Sequence, residues 1–77
     1  MKVDLIWMNG RKDKVDVSEK FTIKQLKKKI FDLYGYDIEL QVMSIQGSAP
    51  ANDALVKEET NCGQLPITIT ISLVGGF

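Results

Sequence analysis

The chain has no histidine, a single cysteine and two prolines in 77 residues. Each scarcity removes a class of chemistry. Without histidine there is no Ser-His or Cys-His nucleophilic site and no imidazole ligand for zinc. One cysteine makes neither an internal disulfide framework nor a thiolate metal site, and its solitary use fits a reducing compartment. Ten Lys and Arg balance ten Asp and Glu, so the charge balance does not point to nucleic acid or to an anionic membrane. No apolar run approaches the roughly 18 residues of a membrane span, and the charged N-terminal stretch lacks the pattern of a signal peptide. P-loop and G-x-G-x-x-G phosphate motifs are missing. The carboxylates are scattered, with no pair in an apolar setting that would raise a pKa. These absences together predict a cytoplasmic protein that is not an enzyme and holds no metal or cofactor.

What is present suits one small domain with a modest core, since 44% of the residues are hydrophobic in a chain that buries only about 60% of its unfolded surface. Val3, Leu5 and Trp7 alternate with Lys2, Asp4 and Ile6, the period of a half-buried strand. Asn9-Gly10 follows, and because both residues tolerate positive φ the pair marks a hairpin turn. Val15 and Val17 alternate with Lys14 and Asp16 on the returning strand.

Helix signals come next. Thr22 and Gln25 have the spacing of a capping box, and Phe21 and Leu26 that of a hydrophobic staple. Ile23, Leu26, Ile30 and Leu33 form one apolar stripe at helical spacing. Gly35 suits the left-handed position just past the helix end. Lys27, Lys28 and Lys29 fall outside the stripe, on a solvated face or at a docking or acceptor site. Leu40 to Ile45 has the character of a short strand ending near Gly47. Ser48 to Gly63 is rich in turn residues, with room for a single helical turn around Leu55 to Glu59. Cys62 lies among loop residues with no base to activate it. Ile67, Ile69, Ile71 and Leu73 alternate with Thr68, Thr70 and Ser72, the clearest strand in the chain. The expected core is Val3, Leu5, Val15, Val17, Leu26, Ile30, Met43, Ile67 and Ile69.

After this strand comes Leu73-Val74-Gly75-Gly76-Phe77. Glycine weakens strands and carries the largest folding entropy. In exchange, a Gly-Gly backbone is thin enough to thread a narrow channel and leaves its carbonyl carbon open to a nucleophile.

The order of hairpin, helix, short strand, irregular stretch, long last strand and Gly-Gly resembles the ubiquitin-like β-grasp modifiers over the whole length. The resemblance is carried by Asn9-Gly10, Val15, Val17, Thr22-Ile23, Lys27, Lys29-Ile30, Asp32, Gly35, Gln41, Gly47, Leu73 and Gly75-Gly76. It implies an α+β fold, a mixed sheet of four to five strands packed on one helix. Residues 1–72 would form the domain and 73–77 a flexible tail from which Phe77 is removed.

The resemblance also implies roles. A peptidase would cleave between Gly76 and Phe77. An activating enzyme would use ATP to join the Gly76 carboxylate to AMP and then hold it as a thioester. A conjugating enzyme would pass it to lysines of target proteins. Ser72, Leu73, Val74 and Gly75 fall on the tail-recognition positions, and Lys27 and Lys29 on possible acceptors. The partner surface falls on Ile6, Met8, Val42, Ser44, Thr68 and Thr70. It is more polar than ubiquitin's own patch, with Ile6 and Val42 as its apolar side chains. Ser48 and Gly63 replace the lysines most used for chain building, and Ser72 and Val74 the tail arginines. Pro50 and Asn61 replace buried leucine and isoleucine, which implies a looser lower core. The expected species is a monomer. Two other readings stay open: a sulfur carrier with a Gly76 thiocarboxylate, and a non-covalent interaction module that keeps Phe77.

Overall fold

Alternation near the N-terminus produces strand β1, Lys2–Trp7, with Val3, Leu5 and Trp7 buried and Lys2 and Asp4 exposed. The computed structural model describes residues 1–72. β1 returns antiparallel as β2, Lys12–Asp16, with Val3 opposite Val15 and Leu5 opposite Asp13. In the turn, the Gly10 amide donates to the Trp7 carbonyl and the Trp7 amide to the Arg11 carbonyl. This makes Met8, Asn9 and Gly10 a three-residue loop. Only Gly10 has a positive φ, +88°. The left-handed freedom expected of both Asn9 and Gly10 is therefore used by Gly10 alone. Asn9 contributes its side chain instead, accepting the Arg11 amide, as Asn does in turns.

Helix α1, Ile23–Tyr34, is framed by the expected caps. The Thr22 hydroxyl accepts the Gln25 amide, and the Gln25 side chain accepts the Thr22 amide at 2.8 Å. Gly35 closes the helix at φ +83°, its amide donating to the Phe31 carbonyl. Ile23, Leu26 and Ile30 are fully buried, but Leu33 is 57% exposed. Its place in the apolar stripe is thus corrected. Leu33 lies about 60° round the helix from Ile30 in one sense, and Tyr34 about 40° in the other. Tyr34 is the residue that meets Trp7 at this end of the sheet.

A 3-10 turn, Ile38–Leu40, leads into β3, Gln41–Ser44. The strand expected from Leu40 thus starts one residue later. Ile45 and Ser48 form only an isolated bridge around left-handed Gln46 and Gly47. Among the described residues the sheet accordingly has four strands. A single helical turn, α2, Val56–Glu59, interrupts the irregular stretch before β4, Ile67–Ile71.

β4 runs parallel to β1, with Leu5 opposite Ile67 and Trp7 opposite Ile69, and antiparallel to β3. The strand order β2-β1-β4-β3 places the first and last strands in the centre. With α1 packed on one face, this is a β-grasp-like α+β arrangement. All nine expected core residues are buried, joined by Trp7, Ile23, Ile45 and Val56. Asn61 is exposed in a left-handed run with Cys62 and Gly63. The buried residue there is Thr60, whose hydroxyl donates to the Val56 carbonyl and accepts the Gly63 amide.

Candidate functional site

Side chains alternate across a strand, so the registers decide which residues share the face away from α1. Ile6 stands opposite Thr68, Thr68 opposite Ser44, and Val42 opposite Thr70. Five of the six expected surface residues therefore share one exposed face. The face is not one apolar patch. Ile6 is on β1 and Val42 on β3, with β4 between them and Val42 two residues further along the strands, a diagonal separation of about 12 Å. The hydroxyls of Thr68 and Thr70 lie in that gap. Ile6 instead borders a groove of about 450 Å³ with Pro66, Asp4, Lys12 and Lys14.

Met8, 69% exposed, occupies the hairpin turn and lines a different cavity of about 120 Å³ with Trp7, Tyr34, Tyr36 and Ile71. Here the Trp7 ring packs edge-on against Tyr34, centroids 5.2 Å apart, and tilted against Tyr36 at 5.5 Å. The indole N–H donates to the Asp13 carboxylate at 2.8 Å. Asp13 also pairs with Arg11, whose guanidinium lies 5.7 Å from the centre of the Tyr34 ring. The partners of Trp7 were not evident from strand alternation. The spacing of Tyr34 four residues after Ile30 carried the signal.

The two candidate acceptor lysines are both tethered. Lys27 Nζ donates to the Asn52 side chain at 2.9 Å, and Lys29 Nζ to the Asp16 carbonyl at 2.6 Å. Lys28 pairs with Asp32 one turn away. The Asp16 carboxylate also accepts a hydrogen bond from the Met1 ammonium. That bond and the ammonium's charge, helped by Lys2 and Lys29, hold its pKa below the ordinary aspartate value. Cys62 is exposed.

The Ser72 amide donates to the Leu40 carbonyl at 2.7 Å, tying the end of β4 to the 3-10 turn. Leu73, Val74, Gly75, Gly76 and Phe77, which carry the expected processing and conjugation steps, lie outside the described residues. Among the described residues no group of three or more His, Cys, Asp or Glu is placed to hold a metal ion. No helix there is long and apolar enough to cross a membrane. No protein-family model matches the chain, and no curated protein matches it.

Proposed function

We propose that this chain is a ubiquitin-like modifier, processed after Gly76 and joined through the Gly76 carboxylate to amines of target proteins. One observation supports the reading above the others. The last strand of a β-grasp-like body is central in the sheet and anchored at its end by Ser72, and Gly75-Gly76 follows three residues on. Gly76 thus lies within about 14 Å of contour from a fixed point. A rigid body then serves as the handle, and the tail as the reacting group.

The chemistry is carried by partner enzymes. The Gly76 carboxylate attacks the α-phosphorus of ATP, releasing pyrophosphate and leaving an acyl-adenylate. A thiolate of the activating enzyme displaces AMP to form a thioester. A conjugating enzyme takes the acyl group by thioester exchange, and a target amine displaces the thiol to leave an amide. Glycine at 75 and 76 keeps the carbonyl unshielded, so the reacting atoms can be brought into line. The exposed face with Ile6, Val42, Ser44, Thr68 and Thr70 serves partner recognition.

Mass spectrometry of the chain and its conjugates recovered from native cells tests the proposal. Lysines of other proteins are expected to carry a branch ending in Gly75-Gly76, which after trypsin runs from residue 58 to residue 76 because Lys57 is the last basic residue. Replacement of one terminal oxygen by sulfur would identify a sulfur carrier instead. A mature chain that keeps Phe77, without such branches, would indicate a non-covalent module.

A further inference from the structure

Next to the root of the tail, Phe31, Asp37, Ile38 and Glu39 line an open groove of about 380 Å³. Two of the four are apolar and two are carboxylates. Phe31 is 40% exposed, high for so large an apolar side chain. Asp37 precedes the 3-10 turn but makes no capping bond with its side chain. Among the described residues neither Asp37 nor Glu39 takes part in an ion pair, as is also true of Asp53, Glu58 and Glu59; of these five, only Asp37 and Glu39 line this groove.

The surroundings add negative character. The last turn of α1, which contains Phe31, has no basic residue to offset the partial negative charge of the helix end. The sequence has no Lys or Arg between Lys29 and Lys57. A surface of this kind is complementary to one chemistry in particular. A guanidinium is flat enough to stack on an aromatic ring and presents several donors to carboxylates, whereas an ammonium is a compact, strongly hydrated charge.

We propose that this groove receives an arginine of the enzyme that handles the tail, its guanidinium against Phe31 and its donors on Asp37 and Glu39. Assigning the arginine to that enzyme rests on the modifier reading above. The placement follows from the hydrogen bond between Ser72 and Leu40, because Leu40 ends the same 3-10 turn that carries Ile38 and Glu39. A protein that grips residues 73–76 must come close to this turn. The segment from Ser72 to Phe77 has no ionisable side chain. Asp37 and Glu39 are therefore charges near the tail root that a partner can read.

The first arm of the test needs no enzyme. Full-length, isotope-labelled protein is titrated at low salt with acetyl-Ala-Arg-Ala-amide and, separately, with its citrulline counterpart, which has the same shape without the charge. Amide shifts centred on Phe31, Ile38 and Glu39 are expected with arginine only. They should weaken at least tenfold in Asp37→Asn/Glu39→Gln, whose thermal midpoint is measured to exclude misfolding, and partly in Glu39→Gln alone. Equal shifts with citrulline, no shifts at these residues, or unchanged binding by the folded double variant would overturn the proposal.

The second arm compares charging of wild type and the double variant, both ending at Gly76, by the cognate activating enzyme. A tenfold or larger rise in KM with kcat preserved is expected, and equal KM values would overturn the assignment to that enzyme. Absence of charging in both chains would count against the modifier reading, and the peptide arm would still decide the groove.

Discussion

The Ser72 amide and the Leu40 carbonyl, 2.7 Å apart, form the hydrogen bond that joins the end of β4 to the 3-10 turn. Ser72→Pro deletes the donor. The loss should cost about 1 kcal/mol, the usual net worth of one such bond, and leave the cooperative unfolding transition intact. Amide exchange should accelerate at Ile71 and around Leu40 while Val3 and Ile69 stay protected. Uniform acceleration would mean that Ser72 supports the whole fold.

Leu26 and Ile30 are fully buried between helix and sheet. Replacing either by Ala should cost roughly 2–5 kcal/mol, a large share of the stability of a domain this small. Leu33→Ala should change stability by less than about 0.5 kcal/mol, because Leu33 faces solvent. Thermal or urea unfolding of the three variants ranks them, and a Leu33 cost equal to that of Ile30 would refute this helix orientation.

Two glycines with similar φ make a matched comparison. Gly10 at +88° has open space where a Cβ would point, whereas a Cβ on Gly63 at +87° would run into the Lys2 carbonyl oxygen. Gly10→Ala should therefore cost about 1–2 kcal/mol, the left-handed penalty alone. Gly63→Ala adds a clash with backbone and should cost more than Gly10→Ala by at least about 1 kcal/mol. Chemical denaturation measures both, and equal costs would contradict the close approach of the 61–63 turn to β1.

Much of this was legible because local signals agreed. Thr22, Gln25 and Gly35 mark their helix ends through backbone groups a few residues away, and alternation in β1 and β4 points directly at the core. Leu33, which the helical spacing misplaces, and the features that the sequence leaves open depend on distant partners. Whether Leu33 or Tyr34 faces inward is decided by Trp7 on another strand. Gln41 is a polar residue at a strand start, yet it is 3% exposed, its amide nitrogen donating to the Lys27 and Tyr36 carbonyls. Those carbonyls belong to α1 and to the loop just after it, which strand alternation does not relate to Gln41. The groove of Phe31, Asp37, Ile38 and Glu39 was equally hidden, since it spans a helix and a 3-10 turn.

The Asp16 pKa is lowered in the fold, first by its hydrogen bond from the Met1 ammonium and then by that group's charge. The folded state therefore holds the proton less tightly than the unfolded chain. The contribution to stability is fully present above the ordinary aspartate pKa and is lost as pH falls through the lowered folded value. The difference in thermal midpoint between wild type and Asp16→Asn should shrink as pH falls below the ordinary aspartate pKa, about 3.9. A difference that stays constant or grows on acidification would show that Asp16 does not act through its charge.

The central claim is that Gly76 is the reacting residue and that Phe77 must first be removed. In the full-length sequence the Gly76 carbonyl belongs to an amide with Phe77, so it has no carboxylate to activate. The decisive measurement is thioester formation with the cognate activating enzyme and ATP, run on the full-length chain, a chain ending at Gly76, and that shorter chain with Gly76→Ala. A thioester formed only, or much the fastest, by the chain ending at Gly76 is the predicted result, and equal charging of the full-length chain or of Gly76→Ala would contradict it.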